Sequence, residues 1–403
     1  METKVIIIGA GAAGLTAAIF ASKKYNNVII LERTNKAGKK IMISGGTRCN
    51  VLPVSMSFED YFTSSSKNLM KNVFKSWSVK DCYNWFTNEI GLKMITEEES
   101  NKWFPQSNSA KEVRDLLLKK AENQGVKIFY DTSVEYITKE NNQWICKTNN
   151  GQKFISEKII MAAGGSSFPE IGTDGTSYKL VKNIGHKVNT IYPALTPLKG
   201  KHPGNELIAG ISLNVELNVK NDNKKNKAQR TGFLFTHKGF SGPAILDLSH
   251  YAVLAIEKNL VKPEITINWT GINEEEWKEI LMSSKGSVLN KIKEFLPNRL
   301  AEALCSELNL QNKNFSDLKK EERNKLIELL SRYKLNYSGH EGYKKAEVTG
   351  GGIPLEEIDT ASMESKIIPN LYLCGEIIDV FGRIGGFNFY WAWVSGRLAG
   401  MSC

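Results

Sequence analysis

Lys4 to Glu32 read KVIIIGAGAAGLTAAIFASKKYNNVIILE, and the order of elements in this stretch decides the fold. An apolar strand, Val5–Ile8, runs into Gly9-Ala-Gly11-Ala-Ala-Gly14; an Ala-rich helix, a second strand at Val28–Leu31 and an acid follow. Dinucleotide binding requires that order. Gly9 allows the tight turn, Gly11 removes a side chain that would block a pyrophosphate, and Gly14 lets helix and strand approach closely. The helix start offers free N–H groups and the positive end of its dipole to phosphates. Glu32, 18 positions after Gly14, is placed to accept hydrogen bonds from both ribose hydroxyls. Gly9, Gly11, Ala12, Ala13, Gly14, Glu32 and the adjoining Arg33 are therefore expected at a cofactor. Val5 to Ser22 carries no charge, but Glu2 offsets Lys4 and three glycines interrupt the run, which argues against a signal peptide or a membrane span.

With 403 residues, 41% hydrophobic and 24% charged, the chain is long enough for two or three domains. No other apolar run approaches membrane length, so a soluble, cytoplasmic protein with no membrane partner is expected. Cys49, Cys82, Cys146, Cys305, Cys374 and Cys403 form no CxxC pair and have no histidine at metal spacing. They read as reduced thiols, with no metal site. The net charge of +10 raises nucleic acid as a partner. Residues 191–336 hold 22 Lys/Arg against 17 Asp/Glu, and the remaining excess is spread over the rest of the chain. The one dense cluster, Lys224-Lys225-Asn-Lys227 with Arg230, sits in an Asn-rich turn, which favours a solvated hairpin tip over a phosphate-tracking groove. A small-molecule substrate is the expectation.

Beyond the opening unit, Lys36–Pro53 reads as a Gly, Lys and Ser-rich loop. Helical patterns cover Met70–Phe74, Lys80–Ile90 and Ala110–Asn123. Strands are expected at Lys127–Tyr130, Val134–Lys139, Gln143–Thr148 and Glu157–Ala163, the last ending at Gly164-Gly165. Period-two alternation at Ile211–Val219 marks a half-buried antiparallel strand, with further strands at Gly232–Thr236 and Glu264–Trp269. Asn273–Tyr333 reads as helices, and strand signals return at Ala346–Thr349 and Asn370–Cys374. The layout predicts an α/β protein with a discontinuous nucleotide-binding domain, 1–190 plus 340–403. A β-rich insertion, 191–272, and a helical insertion, 273–339, separate its two parts.

Only one glycine fingerprint is present. Gly350-Gly351-Gly352 is followed by Pro354 and acids, so no anion-binding helix opens there. A β-meander in place of a second βαβ half favours FAD, which is long and needs distant segments to wrap its ring. The C-terminal segment supplies them: Gly375 and Glu376 end a buried strand, Asp379 follows, and Gly385-Gly386-Phe387-Asn388 open an apolar helix. A helix start aimed at the pyrimidine edge of an isoalloxazine would stabilise its anionic reduced form.

Further motifs resemble a family. These are Lys39-Lys40…Ser44-Gly45-Gly46-x-Arg48-Cys49-Asn50, Phe104-Pro105, Gly164-Gly165-x-Ser167-x-Pro169, Gly185-His186 and Thr236-His237…Ser241-Gly242-Pro243. Val348-Thr349-x-Gly351-Gly352 and Gly375-Glu376…Asp379…Gly385-Gly386…Asn388 complete the set. With them the chain resembles, nearly end to end, bacterial NAD(P)/FAD-dependent oxidoreductases of the aminoacetone-oxidase-like kind, relatives of bile-acid-intermediate reductases. The resemblance implies FAD in a two-dinucleotide-binding-type Rossmann domain, with a small β-barrel-like sheet and a helical subdomain inserted. It places Arg48, Cys49 and Asn50 against the flavin and the backbone of Val134 at the adenine, with Lys40, Ser44, Ala163, Gly164 and Gly165 also on the cofactor side. Thr47 departs from a usual Gly, Lys102 from a usual Arg and Phe389-Tyr390 from a usual Leu-Gln.

The expected function is FAD-dependent hydride transfer involving a small organic substrate, with NAD(P)H as a transient reductant. A flavin-dependent RNA-modifying enzyme and a flavin redox sensor are the alternatives. No nucleophile–base arrangement suggests hydrolysis. Cys49 reads as a packing residue more readily than as a redox thiol. His237 is a candidate proton donor, although histidines in such turns more often hold a loop. Tyr390 is a second catalytic candidate, and helix packing is the commoner role of such aromatics. The oligomeric state is not legible.

Overall fold

Continuous apolar runs suit strands covered on both faces, and those of this chain build a parallel sheet. In the structure, a computed structural model describing residues 1–97, 101–205, 208–221, 224–227 and 231–403, five strands form its centre. They are β1 (Glu2–Ile8), β2 (Val28–Leu31), β3 (Lys127–Phe129), β4 (Lys153–Met161) and β5 (Leu371–Leu373), in spatial order β5-β4-β1-β2-β3. All four pairings are parallel; Val5 to Ile8 lie opposite Val28 to Leu31 on one side and Lys158 to Met161 on the other. Gln143–Thr148 extends the sheet antiparallel to β4, and Val134–Glu140 pairs with it in turn.

The first helix, Ala12–Ala21, is buried from Ala13 to Ala21, as a helix apolar all round should be. It packs against the C-terminal helix, Phe387–Ser402, where two glycines one turn apart replace side chains. A Cβ on Gly396 would stand 2.5 Å from the Ala13 carbonyl oxygen, and one on Gly400 would strike that of Ala17. The last sixteen-residue helix of the chain is thereby seated against the first.

The chain divides into two compact units, Met1–Tyr192 with Val348–Cys403, and Pro193–Glu347. The β-rich stretch from 193 onward and the helical stretch 273–339 fall in the same unit. Its sheet runs in the order 333–334, 264–268, 212–221, 231–236, 239–241, 198–200, 337–340, with 224–227 paired to 218–221. The two end strands are joined by Leu335-Asn336 alone, so the sheet must curl back on itself toward a barrel. Lys224, Lys225 and Lys227 thus lie on a strand paired with 218–221; their side chains, and the whole of Arg230, lie outside the described residues.

Sequence pattern assigned nothing to residues 243–257, which form a 15-residue helix opened by Pro243. Its buried residues Ala244, Ile245, Leu248, Ala252 and Val253 follow helical spacing. The four helices between 274 and 331 agree with the sequence pattern; the first opens with a reciprocal capping box between Asn273 and Glu276, both bonds 2.9 Å. Among the described residues no helix is long and apolar enough to cross a membrane, and no cluster of three metal-ligating side chains occurs. All six cysteines are buried and unpaired.

Candidate functional site

Four turns gather at the carboxyl ends of the parallel strands, where open α/β sheets bind ligands. They follow β1 (Gly9–Gly14), β2 (Glu32–Arg33), β4 (Ala162–Gly165) and β5 (Cys374–Glu376). The three glycines after β1 behave differently. Gly9 has φ +101°, and a Cβ there would lie 2.6 Å from the Ala162 carbonyl oxygen and 2.9 Å from Ala163 Cα. A Cβ on Gly14 would run into the Gly9 carbonyl. Gly11 has ordinary extended backbone, and nothing lies within 4 Å of where its Cβ would be. Two glycines close the turn; the third keeps space clear in front of the first helix. No side chain caps that helix, so its first-turn N–H groups face the space.

Glu32 is 9% exposed and anchored at both oxygens. Oε2 accepts from Ala10 N–H at 2.8 Å, and Oε1 accepts from the N–H and hydroxyl of Thr34, each at 2.8 Å. A carboxylate has about four acceptor sites, so capacity remains for a sugar hydroxyl. The backbone N–H of Thr132 donates to the Glu32 carbonyl at 2.9 Å, which brings buried Val134 to the same strand end. Arg33 turns outward and pairs with Asp174.

A second carboxylate, Glu376, joins segments far apart in sequence. Its Oε2 accepts from Lys40 Nζ at 2.7 Å, and its Oε1 accepts from the Ser167 hydroxyl and the Thr349 N–H, both at 2.9 Å. Lys40 also donates to Ser167 at 2.7 Å, and Thr349 Oγ1 accepts from Ser166 N–H at 2.7 Å. Gly165 lies against this network, since a Cβ there would be 2.6 Å from Glu376 Oε1. A Cβ on Gly375 (φ +76°) would reach 2.8 Å from that of Ala13. Gly164 also takes a left-handed turn, at φ +73°.

The loop after Lys40 is strongly bent. Gly45, Gly46, Thr47 and Cys49 all have positive φ, +54°, +65°, +70° and +67°. For β-branched Thr47 this is strained, at the very position where the sequence departs from a usual Gly. Ser44 Oγ donates to Ile41 O at 2.7 Å, and Asn50 Oδ1 lies 2.9 Å from where a Gly45 Cβ would be. Arg48 bonds Glu97 through both terminal nitrogens at 3.0 Å and lies over the Phe104 ring at 4.1 Å. Cys49 has no exposure, and burial pushes its thiol up to about 12 despite a hydrogen bond with Ser44. It is a neutral packing residue here, not a thiolate.

Asp379 is buried and accepts from the N–H and hydroxyl of Ser64 and from Asn189 Nδ2 at 2.9 Å. It fixes loops. Gly385 and Gly386 open the C-terminal helix with φ +105° and +92°. A Cβ on Gly386 would stand 2.7 Å from the Leu52 carbonyl carbon, and one on Gly385 2.5 Å from Lys102 Cε. Asn388 holds this turn by bonds to Gly382 N–H and O at 2.8 and 2.9 Å, and half-buried Phe387 packs edge-on against Tyr61.

Both catalytic candidates take other positions. Tyr390 is 1% exposed, stacks on Phe74 and donates its hydroxyl to Trp77 O at 2.6 Å; it packs the helix and has no free polar atom for substrate. His237 is exposed at the turn of the 231–241 hairpin, in the other unit. His186, of the Gly185-His186 family motif, is buried between Glu357 (2.8 Å from Nδ1) and Ser365 (2.9 Å from Nε2). The arrangement copies a Ser-His-Glu triad, but Ser365 Oγ already accepts from Ile367 and Ile368 N–H, which leaves no lone pair for attack. Burial lowers the His186 pKa, with Glu357 opposing.

Ser166, Ser167 and Thr349 were missed as site residues. The signal was the Gly350–Gly352 cluster, set aside for lack of a following helix. Its glycines serve strand contact: a Cβ on Gly350 would strike the Tyr192 ring and one on Gly351 the Thr190 carbonyl. That close approach presents Thr349 to the loop after β4.

The cleared space at Gly11, the uncapped helix and the anchored Glu32 fit a dinucleotide. A family described as HI0933-like protein Rossmann domain matches residues 3–402. The chain belongs to that family. It is an FAD-dependent, Rossmann-type oxidoreductase. A ribosomal RNA dihydrouridine synthase of Escherichia coli K12 is 30% identical over 97% of this chain and 95% of its own length. A 3-dehydro-bile acid delta(4,6)-reductase of Clostridium scindens is 30% identical over 98% of both chains. Among solved structures, 3-ketosteroid delta1-dehydrogenase from Sterolibacterium denitrificans superposes with a TM-score of 0.54 at 12% identity, covering 99% of this chain and 98% of its own, a likeness of fold.

Proposed function

We propose that this oxidoreductase saturates the C5=C6 double bond of a uracil base in ribosomal RNA. The observation that carries the reading is likeness along nearly the whole chain to two relatives named for this reaction; the net charge of +10, spread over the chain, is compatible with a polyanionic substrate without marking its site. The Escherichia coli relative and a second from Haemophilus influenzae, 30% identical over 98% of this chain and likewise named ribosomal RNA dihydrouridine synthase, support it. The reaction adds a hydride equivalent and a proton across C5=C6. One NAD(P)H becomes NAD(P)⁺, and solvent supplies the proton. This reading places the protein in the cytoplasm, with the ribosome.

FAD, when bound, supplies the two-electron chemistry. Gly9, Gly11, Ala12, Ala13 and Gly14 would hold its phosphates on the first helix, with Glu32 and Val134 at the adenosine end. Lys40, Ser44, Arg48, Cys49, Asn50, Ala163, Gly164, Gly165, Gly375, Glu376 and the Gly385–Asn388 turn would line the remainder. The Lys40–Glu376–Ser167–Thr349 network orients this wall, and the buried Asp379 fixes the loops behind it.

A second reading keeps the same chemistry on a small conjugated enone. The Clostridium scindens relative favours it, being as similar as the other two over the whole chain. Incubation of the FAD-loaded protein and NADPH or NADH with ribosomal RNA transcribed in vitro, then nuclease digestion and mass spectrometry, separates the two. A uridine heavier by two hydrogens is expected. Unchanged RNA beside rapid saturation of a steroid enone would replace the first reading by the second.

A further inference from the structure

The unit that carries the Gly11 cradle also has a surface hollow of about 420 Å³, outside the residues assigned to the cofactor. Its floor includes Met42 and Ile43, and its rim carries Lys36, Lys39, Lys111 and Arg114; among the described residues no acid lines it. The rim comes from two pieces of chain: the turn and short helix Lys39–Ile43 after β2, and the helix Ala110–Asn123. They meet closely at Gly38 (φ +65°), where a Cβ would lie 2.6 Å from Arg114 Cγ. Lys36 and Lys111 are exposed, and no acid among the described residues pairs with them; Arg114 bonds its neighbour Asp115 through Nε. Ile43 is 41% exposed, an apolar side chain left in water between cations.

Cations gathered with a single carboxylate, that of Asp115, among them repel one another, and apolar area in water is unfavourable; a ligand with phosphates and a flat, weakly polar face relieves both. From this the geometry points to a docking site for the RNA strand, with backbone phosphates on Lys36, Lys111 and Arg114 and a base or ribose lying on Met42 and Ile43. The inference rests on the RNA reading above and adds where the substrate is gripped. Phosphate contacts of this kind supply affinity and salt dependence without reading sequence.

The test compares the full-length FAD-loaded protein with the double variant Lys36→Glu/Lys111→Glu, and with a control reversal at exposed Lys278→Glu/Lys285→Glu, using fluorescent ribosomal RNA fragments at several salt concentrations. The site variant is expected to keep its visible flavin spectrum, to bind RNA about tenfold or more weakly, and to lose about two from the slope of log K against log salt. The control is expected to bind like the wild type. Wild-type binding that the site variant retains, or that the control loses equally, overturns the docking site and leaves the RNA reading standing. Failure of the wild type to bind or reduce RNA defeats the RNA reading itself. Loss of poly-glutamate binding with RNA binding intact would assign the hollow to an acidic protein segment and overturn the proposal.

Discussion

The first and last helices of the nucleotide-binding unit both begin at glycine and continue as apolar, buried helices, yet what stands before them differs. In front of Gly11 there is room for a methyl group and more. In front of Gly386, at φ +92°, stands the backbone of Leu52 and Pro53. One glycine leaves open space before its helix, while the other lets the chain fill that space. Similar sequence punctuation thus accompanies an open helix start at one end of the chain and a close-packed one at the other.

The largest effect that would break this contrast is Gly386→Ala. It combines an unfavourable backbone angle with a collision against main chain, and roughly 3–5 kcal/mol of stability should be lost. Urea unfolding of the FAD-free protein measures it, and a wild-type midpoint would show that the turn is not close-packed.

Gly11→Ala should behave in the opposite way. The φ of −80° suits any residue, so stability should stay within about 0.5 kcal/mol. FAD affinity should fall about a hundredfold, as a methyl group separates phosphate from helix N–H groups. Titration of the apoprotein with FAD, followed by flavin fluorescence, decides this; undiminished affinity would place the pyrophosphate elsewhere.

Acid separates global stability from both helix starts. Burial holds His250 neutral and pushes its pKa down to about 3 from 6.5, and burial also lowers that of His186. The unfolded chain therefore takes up protons first as pH falls. Stability fully present above about 6.5 should be lost toward pH 5, by about 1.4 kcal/mol per unit for a fully buried imidazole such as His250. Wild type and Gly11→Ala should decline in parallel in urea melts at pH 7, 6 and 5. A flat profile would show that neither imidazole is held neutral.

The smallest expected change is a gain. Thr47→Gly relieves a β-branched residue at φ +70° and should add about 1 kcal/mol. A thermal melt reads it, and a loss would mean that Thr47 makes a contact worth more than its strain.

Much of the nucleotide-binding sheet was legible because parallel strands buried on both faces are continuous apolar runs, as in VIII and VIIL. The pieces between them were not. Lys39–Ile43 was read as loop and is a short helix; Leu52–Pro53 pairs with Lys102–Pro105, two short strands too distant in sequence to predict each other. Tyr390 was a candidate because it stands near the start of a helix expected to face the flavin, and sequence does not say which neighbour an aromatic side chain on that helix meets. Its stack on Phe74 answers that.

By itself the sequence determined the Gly9–Gly14 turn, the acid at Glu32 and the buried strands on either side, because these depend on residues adjacent along the chain. Only the tertiary structure decided that Glu376 is held by Lys40, Ser167 and Thr349, which lie 336, 209 and 27 positions away. Hydrogen bonds across such distances follow from how strands stack and helices seat, and no local spacing encodes them.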